Sequence, residues 1–315
     1  MPTKKHTVLG ASGAMGQAVL RVLVEQGFPA RAVSRQMGRT DVEVMPADLL
    51  RPEEARKAVA DSSHVYLCVG LPYQATVWKR DWPIVMQNVI DACAEEGATL
   101  IFLDNIYLYG PTPLPVPFDE TTSQQPTTRK GQARKRTADL LMQAMAAGKV
   151  RGVIGRSADF YGPGATFSPF YIAFLERMLQ GKGPQWVGRP GVRHTYANVD
   201  DNARALVALA LDESTHGQAW HLPVGPPITP DEIIAIFNEQ RGSDFQISYL
   251  PAFLRKALSL FMPPLREVNE MVYQFNEPYL MSAEMFLAHF PDFRVTPYEE
   301  GIAAMIRSFN EEPVG

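Results

Sequence analysis

Apolar positions in the first half of the chain recur with two different periods. Short β-type runs at His6–Leu9, Ala30–Ser34, Val42–Met45, His64–Val69, Thr99–Leu103 and Val150–Ile154 read as strands. Between them the spacing becomes helical: Gln17–Gln26 carries Val19, Leu20, Val22 and Leu23 on one side, with Gly27 placed as a C-cap. Strands alternating with helices predict parallel βαβ units with right-handed crossovers. The first half therefore reads as a doubly wound, parallel α/β sheet.

The second half has a different texture. Proline-rich connections at Pro111, Pro113, Pro115 and Pro117, at Pro226 and Pro227, and at Pro263 and Pro264 separate helices with only occasional short strands. Thr229-Pro230-Asp231-Glu232 and Thr296-Pro297-Tyr298-Glu299 both carry a capping-box signature with proline at the first helical position. The chain shows no internal repeat and no low-complexity linker, so the halves are expected to interleave.

Composition narrows the classes. Over 315 residues, 46% hydrophobic and 20% charged residues suit a soluble globular protein and not a disordered one. Thirty basic residues against 34 acidic give a net charge of −4, which argues against nucleic-acid and membrane-surface partners. Cys68 and Cys93 lie in apolar stretches and can build neither a disulfide framework nor a cysteine-rich metal site. The histidines show no pair at ligand spacing with a third partner, so no metal is expected. No apolar run approaches the ~18–20 residues of a membrane span. The start, Met1-Pro2-Thr3-Lys4-Lys5, leads into a strand without a signal-peptide core. A cytoplasmic monomer or homodimer is the expectation. One imbalance remains: of 26 prolines, 6 precede residue 110 and 20 follow it.

The first strand runs directly into Gly10-Ala11-Ser12-Gly13-Ala14-Met15-Gly16, which opens the first helix. Gly10 and Gly13 allow a tight turn and close approach to a phosphate, Gly16 allows the helix to pack on the strand, and free N–H groups attract the anion. This predicts a Rossmann-type dinucleotide site, with Ser12, Ala14 and Met15 in its wall. An NAD site usually places an acid at the end of the second strand to bind the ribose 2′-hydroxyl. Ser34 and Arg35 stand there instead, and no acid follows until Asp41. A hydroxyl and a guanidinium suit a 2′-phosphate, so the expected cofactor is NADP (NADPH); an exposed surface arginine is the alternative. Asp48 and Leu49 are placed to border the adenine, and Val69, Gly70 and Leu71 to pass beside the pyrophosphate.

These features, with Leu103-Asp104-Asn105-Ile106-Tyr107-Leu108-Tyr109-Gly110, Arg156-Ser157-Ala158-Asp159-Phe160-Tyr161-Gly162-Pro163-Gly164 and His194-Thr195-Tyr196-Ala197-Asn198-Val199-Asp200-Asp201, resemble the extended and atypical short-chain dehydrogenases/reductases, the epimerase/dehydratase-like superfamily. The resemblance spans nearly the whole chain. It implies an NADP-binding Rossmann domain at residues 1–165, joined by a returning segment at 187–222, and a smaller, mostly helical substrate-binding portion at 166–186 and 223–315. The catalytic pattern departs from the family. Asn105 stands where a serine or threonine is usual, and Lys130-Gly131-Gln132-Ala133-Arg134 replaces Tyr-x-x-x-Lys, so the usual tyrosine is not inherited.

On a helix beginning near Thr128, Lys130, Arg134, Ala138, Leu141 and Met145 share one face. The last three are a core stripe. Two cations continuing it need partners: Asp104, the cofactor or an acidic substrate. The alternative is a solvated basic helix start over Arg129–Arg136. Lysine and tyrosine are proton donors of similar strength, and a cation one turn away disfavours the ammonium form. Lys130 can therefore act as proton donor, with Arg134 supplying that field, Asn105 polarising a carbonyl, and Tyr107, on the same strand face as Asn105, as the spare acid. Tyr73, Trp78, Phe160, Tyr161, Phe167 and Phe170 are expected to border the substrate cleft. His194 is expected to make a structural hydrogen bond and Asp201 to cap a helix. Arg193 sits one position early for gripping a substrate diphosphate, against a nucleotide sugar. The reading is an NADP(H)-dependent oxidoreductase or epimerase-like enzyme for a small carbonyl or hydroxyl compound. The alternative is a non-catalytic NADP(H)-sensing or binding protein.

Overall fold

A computed structural model describes residues 5–36 and 41–311. Met1–Lys4, part of the stretch read as lacking a signal segment, lie outside the described residues. The chain clusters into two compact units: the first takes the chain up to Leu108, Arg129–Ser157 and Asn202–Leu222, the second Tyr109–Thr128, Ala158–Asp201 and the chain from Pro223 on.

The first unit is built on a seven-stranded sheet. Its strands include β1 (Lys5–Leu9), β2 (Ala30–Val33), β3 (Glu43–Met45), β4 (Ser62–Leu67), β5 (Thr99–Asn105) and β6 (Gly152–Ser157), joined at one edge by Ala219–His221. The order is Ala219–His221, β6, β5, β4, β1, β2, β3, and every pairing is parallel. Both faces are covered, by α1 (Ala14–Glu25), α2 (Pro52–Val59), α3 (Ala75–Glu96) and α4 (Arg129–Ala146) among others, which is why the central strands are apolar almost without alternation. Leu9, Val33, Leu67, Phe102 and Ile154 of the sheet pack with Val85, Met86 and Val89 of α3 and Ala138 and Leu141 of α4. The chain builds outward from β1 to β3 and then crosses to β4 on the other flank. This places the reversal of strand order between β1 and β4, where open α/β sheets bind ligands beyond the carboxyl ends of their strands.

Strand ends differ from the sequence expectation in an instructive way. β5 runs on to Asn105 and β6 to Ser157, pairing Asp104 with Arg156 and Asn105 with Ser157. The apolar pattern stops at the first polar residue, whereas the ladder continues because these polar side chains are themselves buried or half-buried and partnered.

The second unit has its own core of Tyr161, Phe170, Phe174, Trp186, Phe237 and Ile302. Tyr161 and Phe170, expected at a cleft, instead stack on each other at 4.7 Å inside this core, while Phe167 is exposed. The capping box at Thr229 forms as expected at the start of helix Pro230–Arg241. The one expected at Thr296 differs: the helix begins at Tyr298, and Thr296 donates from its amide (2.7 Å) and hydroxyl (2.6 Å) to the Asp201 carboxylate. Asp201 is therefore not the cap expected of it; Asn198 Oδ1 accepts from the Asp200 amide at 2.8 Å and takes that role.

Candidate functional site

Gly10 follows β1 with φ +86°, and a Cβ there would stand 2.7 Å from Val69 Cα, so the glycine loop and the segment after β4 approach backbone to backbone. Gly16, inside α1, is equally crowded: its Cβ would stand 2.7 Å from Ala11 Cα and press on the Gly10 carbonyl. Gly13 differs. It is exposed, and a Cβ there would make only an ordinary contact, at 3.6 Å, with the Gly10 carbonyl. Two of the three glycines are thus required by packing, and the third leaves the loop's outer surface low beside the first turn of α1, whose N-cap Gly13 offers no side chain to its N–H groups. Ala14 is half-buried and Met15 buried beneath this turn. Such a cradle fits a pyrophosphate.

The second strand's end meets the same loop. Ser12 Oγ and Ser34 Oγ are 2.7 Å apart, and Ser34 also donates to the Gln36 carbonyl at 3.0 Å. Arg35, next in the chain, is exposed. Asp48 is half-buried and accepts from the Leu50 amide at 3.1 Å. Leu49 is buried in the core, and its carbonyl accepts from Asn88 at 2.9 Å. Val69 and Leu71 are partly buried against that core, whereas Gly70 is exposed, with open space where a Cβ would be.

The altered catalytic stretch lies on α4, and its helix is two-sided. Arg129, Gln132 and Arg136 are exposed, while Lys130, Arg134, Thr137, Ala138 and Leu141 are buried. Of the partners considered for Arg134, the structure supplies Asp104. Arg134 Nε donates to Asp104 Oδ1 at 2.8 Å, Nη2 donates to the same oxygen and to the Leu103 carbonyl, and the guanidinium lies 4.3 Å from the Trp82 ring. Arg156 of β6 faces Asp104 Oδ2 from 3.8 Å. The field that Arg134 exerts on Lys130 is therefore that of a paired charge. Lys130 itself is 0% exposed, with Nζ 4.5 Å above the Tyr73 ring. Asn105 closes β5, and its Oδ1 accepts from the Tyr107 amide at 3.1 Å, which leaves the NH2 end as the part able to donate outward. Tyr107 lies beyond the strand, so strand alternation does not govern its direction; it packs parallel to Trp78, with ring centres 6.1 Å apart.

The second unit holds a pair that the sequence pattern did not reveal. His194 donates from Nδ1 to the Thr195 carbonyl at 2.6 Å, the structural bond expected of it, which leaves Nε2 as an acceptor facing Asp159 Oδ2 at 3.6 Å. Burial holds His194 down at about 4 and pushes Asp159 up to about 7. Tyr196 stacks on His194 at 4.5 Å and Tyr279 lies 5.5 Å away, and burial with the nearby Asp159 raises both phenols. Only the stretch Ala158-Asp159-Phe160, an acid among apolar residues, hinted at this. Among the described residues no group of three His, Cys, Asp or Glu could hold a metal ion, and no helix is long and apolar enough to cross a membrane.

Residues 6–222 match the model of the NAD dependent epimerase/dehydratase family, and the chain belongs to that family. Its fold is similar to that of the UDP-glucuronic acid 4-epimerase from Bacillus cereus in complex with NAD, at 15% identity and TM-score 0.80 over 98% of this chain and 99% of that one. It is similar too to the UDP-glucose 4-epimerase of Thermus thermophilus in complex with NAD (17% identity, TM-score 0.77, 98% and 99% covered). A third similar structure is the Bordetella bronchiseptica enzyme WbmH in complex with NAD+ (17% identity, TM-score 0.78, 98% and 99% covered). No curated protein matches the sequence.

Two outcomes are expected from this geometry. Gly16→Ala forces backbone apart and should lower unfolding free energy by about 1–3 kcal/mol in urea titrations, whereas Gly13→Ala should change it by less than about 0.5 kcal/mol. The buried pair gives a signed pH dependence. Asp159, raised, loses stability as pH rises from about 4 to about 7; His194, lowered, loses it as pH falls from 6.5 to about 4. The two slopes oppose each other in their common window. Asp159→Asn removes the first, so stability of that variant relative to the parent should climb with pH through that window by at most ~1.4 kcal/mol per unit, read from denaturation at stepped pH.

Proposed function

We propose that this chain is an NADP(H)-dependent oxidoreductase or epimerase-like enzyme acting on a small carbonyl or hydroxyl compound. In this reading the sheet unit carries the cofactor and the second unit serves the substrate. The observation that carries it is Lys130, fully buried in the first turn of α4, one turn before an arginine locked to the end of β5 by Asp104. A lysine so placed has a fixed position relative to Asn105, the next residue along the strand. A nicotinamide dinucleotide, when bound, supplies or takes up a hydride. The chain's own residues handle the oxygen. Asn105 donates from Nδ2 to the substrate carbonyl and polarises it, and Lys130 passes a proton from Nζ to that oxygen, becoming the neutral amine until water reprotonates it. Tyr107 is the second acid. Arg134 is a positioning residue that sets α4 against β5.

The fit of the glycine cradle supports a dinucleotide, and Ser34 with Arg35 supports a 2′-phosphate: the serine hydroxyl is already at the loop, and the arginine is exposed beside it. Asp48, Leu49, Val69, Gly70 and Leu71 complete the proposed cofactor wall. The UDP-sugars of the similar structures are not carried over. Arg193, the residue nearest to a diphosphate grip, donates to the Pro227 carbonyl at 2.7 Å and pairs with Glu232.

The second reading, a protein that binds NADP(H) without turnover, is favoured by one observation: the Lys130 ammonium is covered by Tyr73. Consumption of NADPH across a panel of ketones, aldehydes and enones, beside a cofactor titration, separates the two, since tight binding without turnover selects the sensor. Arg35→Ala should weaken NADPH by about 10–100-fold and leave NADH unchanged in calorimetric titrations; equal affinities for parent and variant would remove the NADP assignment. The double variant Lys130→Met, Tyr107→Phe should lose at least ~100-fold in turnover while keeping cofactor affinity, and unchanged turnover ends the proposal.

A further inference from the structure

We infer that Tyr73 determines substrate specificity: its ring holds, over the Lys130 ammonium, the place that the ring of an aryl carbonyl compound takes in the productive complex. This rests on the reading of Lys130 as proton donor. Lys130 has no exposed surface, and the Tyr73 ring covers Nζ at 4.5 Å. Tyr73 meets Trp78 edge-on at 5.5 Å and 88°, and Trp78 in turn lies parallel to Tyr107 at 6.1 Å and 17°. The ring over the ammonium is thus the first of three linked aromatic rings. They are not equally fixed. Trp78 is buried within α3 and Tyr107 packs on the core, whereas Tyr73 is 39% exposed on the stretch of residues 68–74, which is neither helix nor strand. A substrate that reaches Nζ from solvent displaces Tyr73.

The chemistry of that exchange selects the substrate. An ammonium over an aromatic face is attracted by the ring's quadrupole. A saturated group in Tyr73's place removes this attraction and gives back only bulk. An aromatic ring in that place restores it, and the carbonyl it carries is brought beside the ammonium. Trp78 keeps its buried indole N–H without an acceptor among the described residues, a further donor beside the displaced ring. Selection is therefore for aryl carbonyl compounds over saturated ones of the same size.

The test is acylation footprinting of the full chain with an acetylating ester, read by mass spectrometry at Lys130 against exposed Lys79. In the parent, Lys130 should react at least tenfold more slowly than Lys79. Tyr73→Ala and Tyr73→Leu should bring it within threefold of Lys79, and Tyr73→Phe, which keeps the ring, should retain protection. In Tyr73→Ala, acetophenone should then protect Lys130 at a concentration at least tenfold below that needed for cyclohexyl methyl ketone. Equal Lys130 reactivity in the parent and Tyr73→Ala would overturn the cover, and equal protection by the two ketones would overturn the selection. Neither readout uses turnover, so a catalytically silent Lys130→Met variant and a failed footprint are separate results.

Discussion

The buried ion pair between Arg134 and Asp104 sets the geometry on which the candidate site depends. It joins the first turns of α4 to the carboxyl end of β5, and the two residues proposed to act on substrate flank it directly: Asn105 follows Asp104, and Lys130 precedes Arg134 by one turn. Burying an arginine and an aspartate costs several kcal/mol each in lost hydration, and only good geometry with further hydrogen bonds offsets this. One such bond is present, to the Leu103 carbonyl, and the guanidinium also lies over the Trp82 and Phe102 rings. Arg156 also faces Asp104.

The same pair explains how an arginine can occupy a position where the family uses lysine. A lysine is a point charge on a flexible stem, whereas the guanidinium makes several bonds in one plane. Arg134 uses this capacity inwardly, on protein atoms. Under the proposed reading, Lys130 serves the ligand and Arg134 the fold.

Much of the sheet was legible because parallel strands covered on both faces are nearly continuous apolar runs, and the glycine loop was legible because steric crowding at Gly10 and Gly16 admits no other residue. That the buried cations need partners was also readable, with Asp104 one of three candidates, and the structure pairs it with Arg134. Other features were not readable. The extension of β5 and β6 over Asp104, Asn105, Arg156 and Ser157 depends on cross-strand pairing between segments about fifty residues apart. The cover of Lys130 by Tyr73 and the facing of His194 by Asp159 join parts of the chain distant in sequence, and no local period encodes them. Thr296 likewise looked like a cap from its neighbours alone, and its bond to Asp201 bridges far more of the chain than any local motif.

One contact in the cofactor cradle has a further consequence. The hydroxyls of Ser12 and Ser34 already bridge the glycine loop and the end of β2. The loop is therefore ordered by folding, and ligand entry exchanges one hydrogen bond for others instead of freezing a mobile segment, which keeps the entropic cost of binding small. It also couples the glycine loop to the residue after β2, so a change at Ser34 that removes its hydroxyl would loosen the loop at the same time.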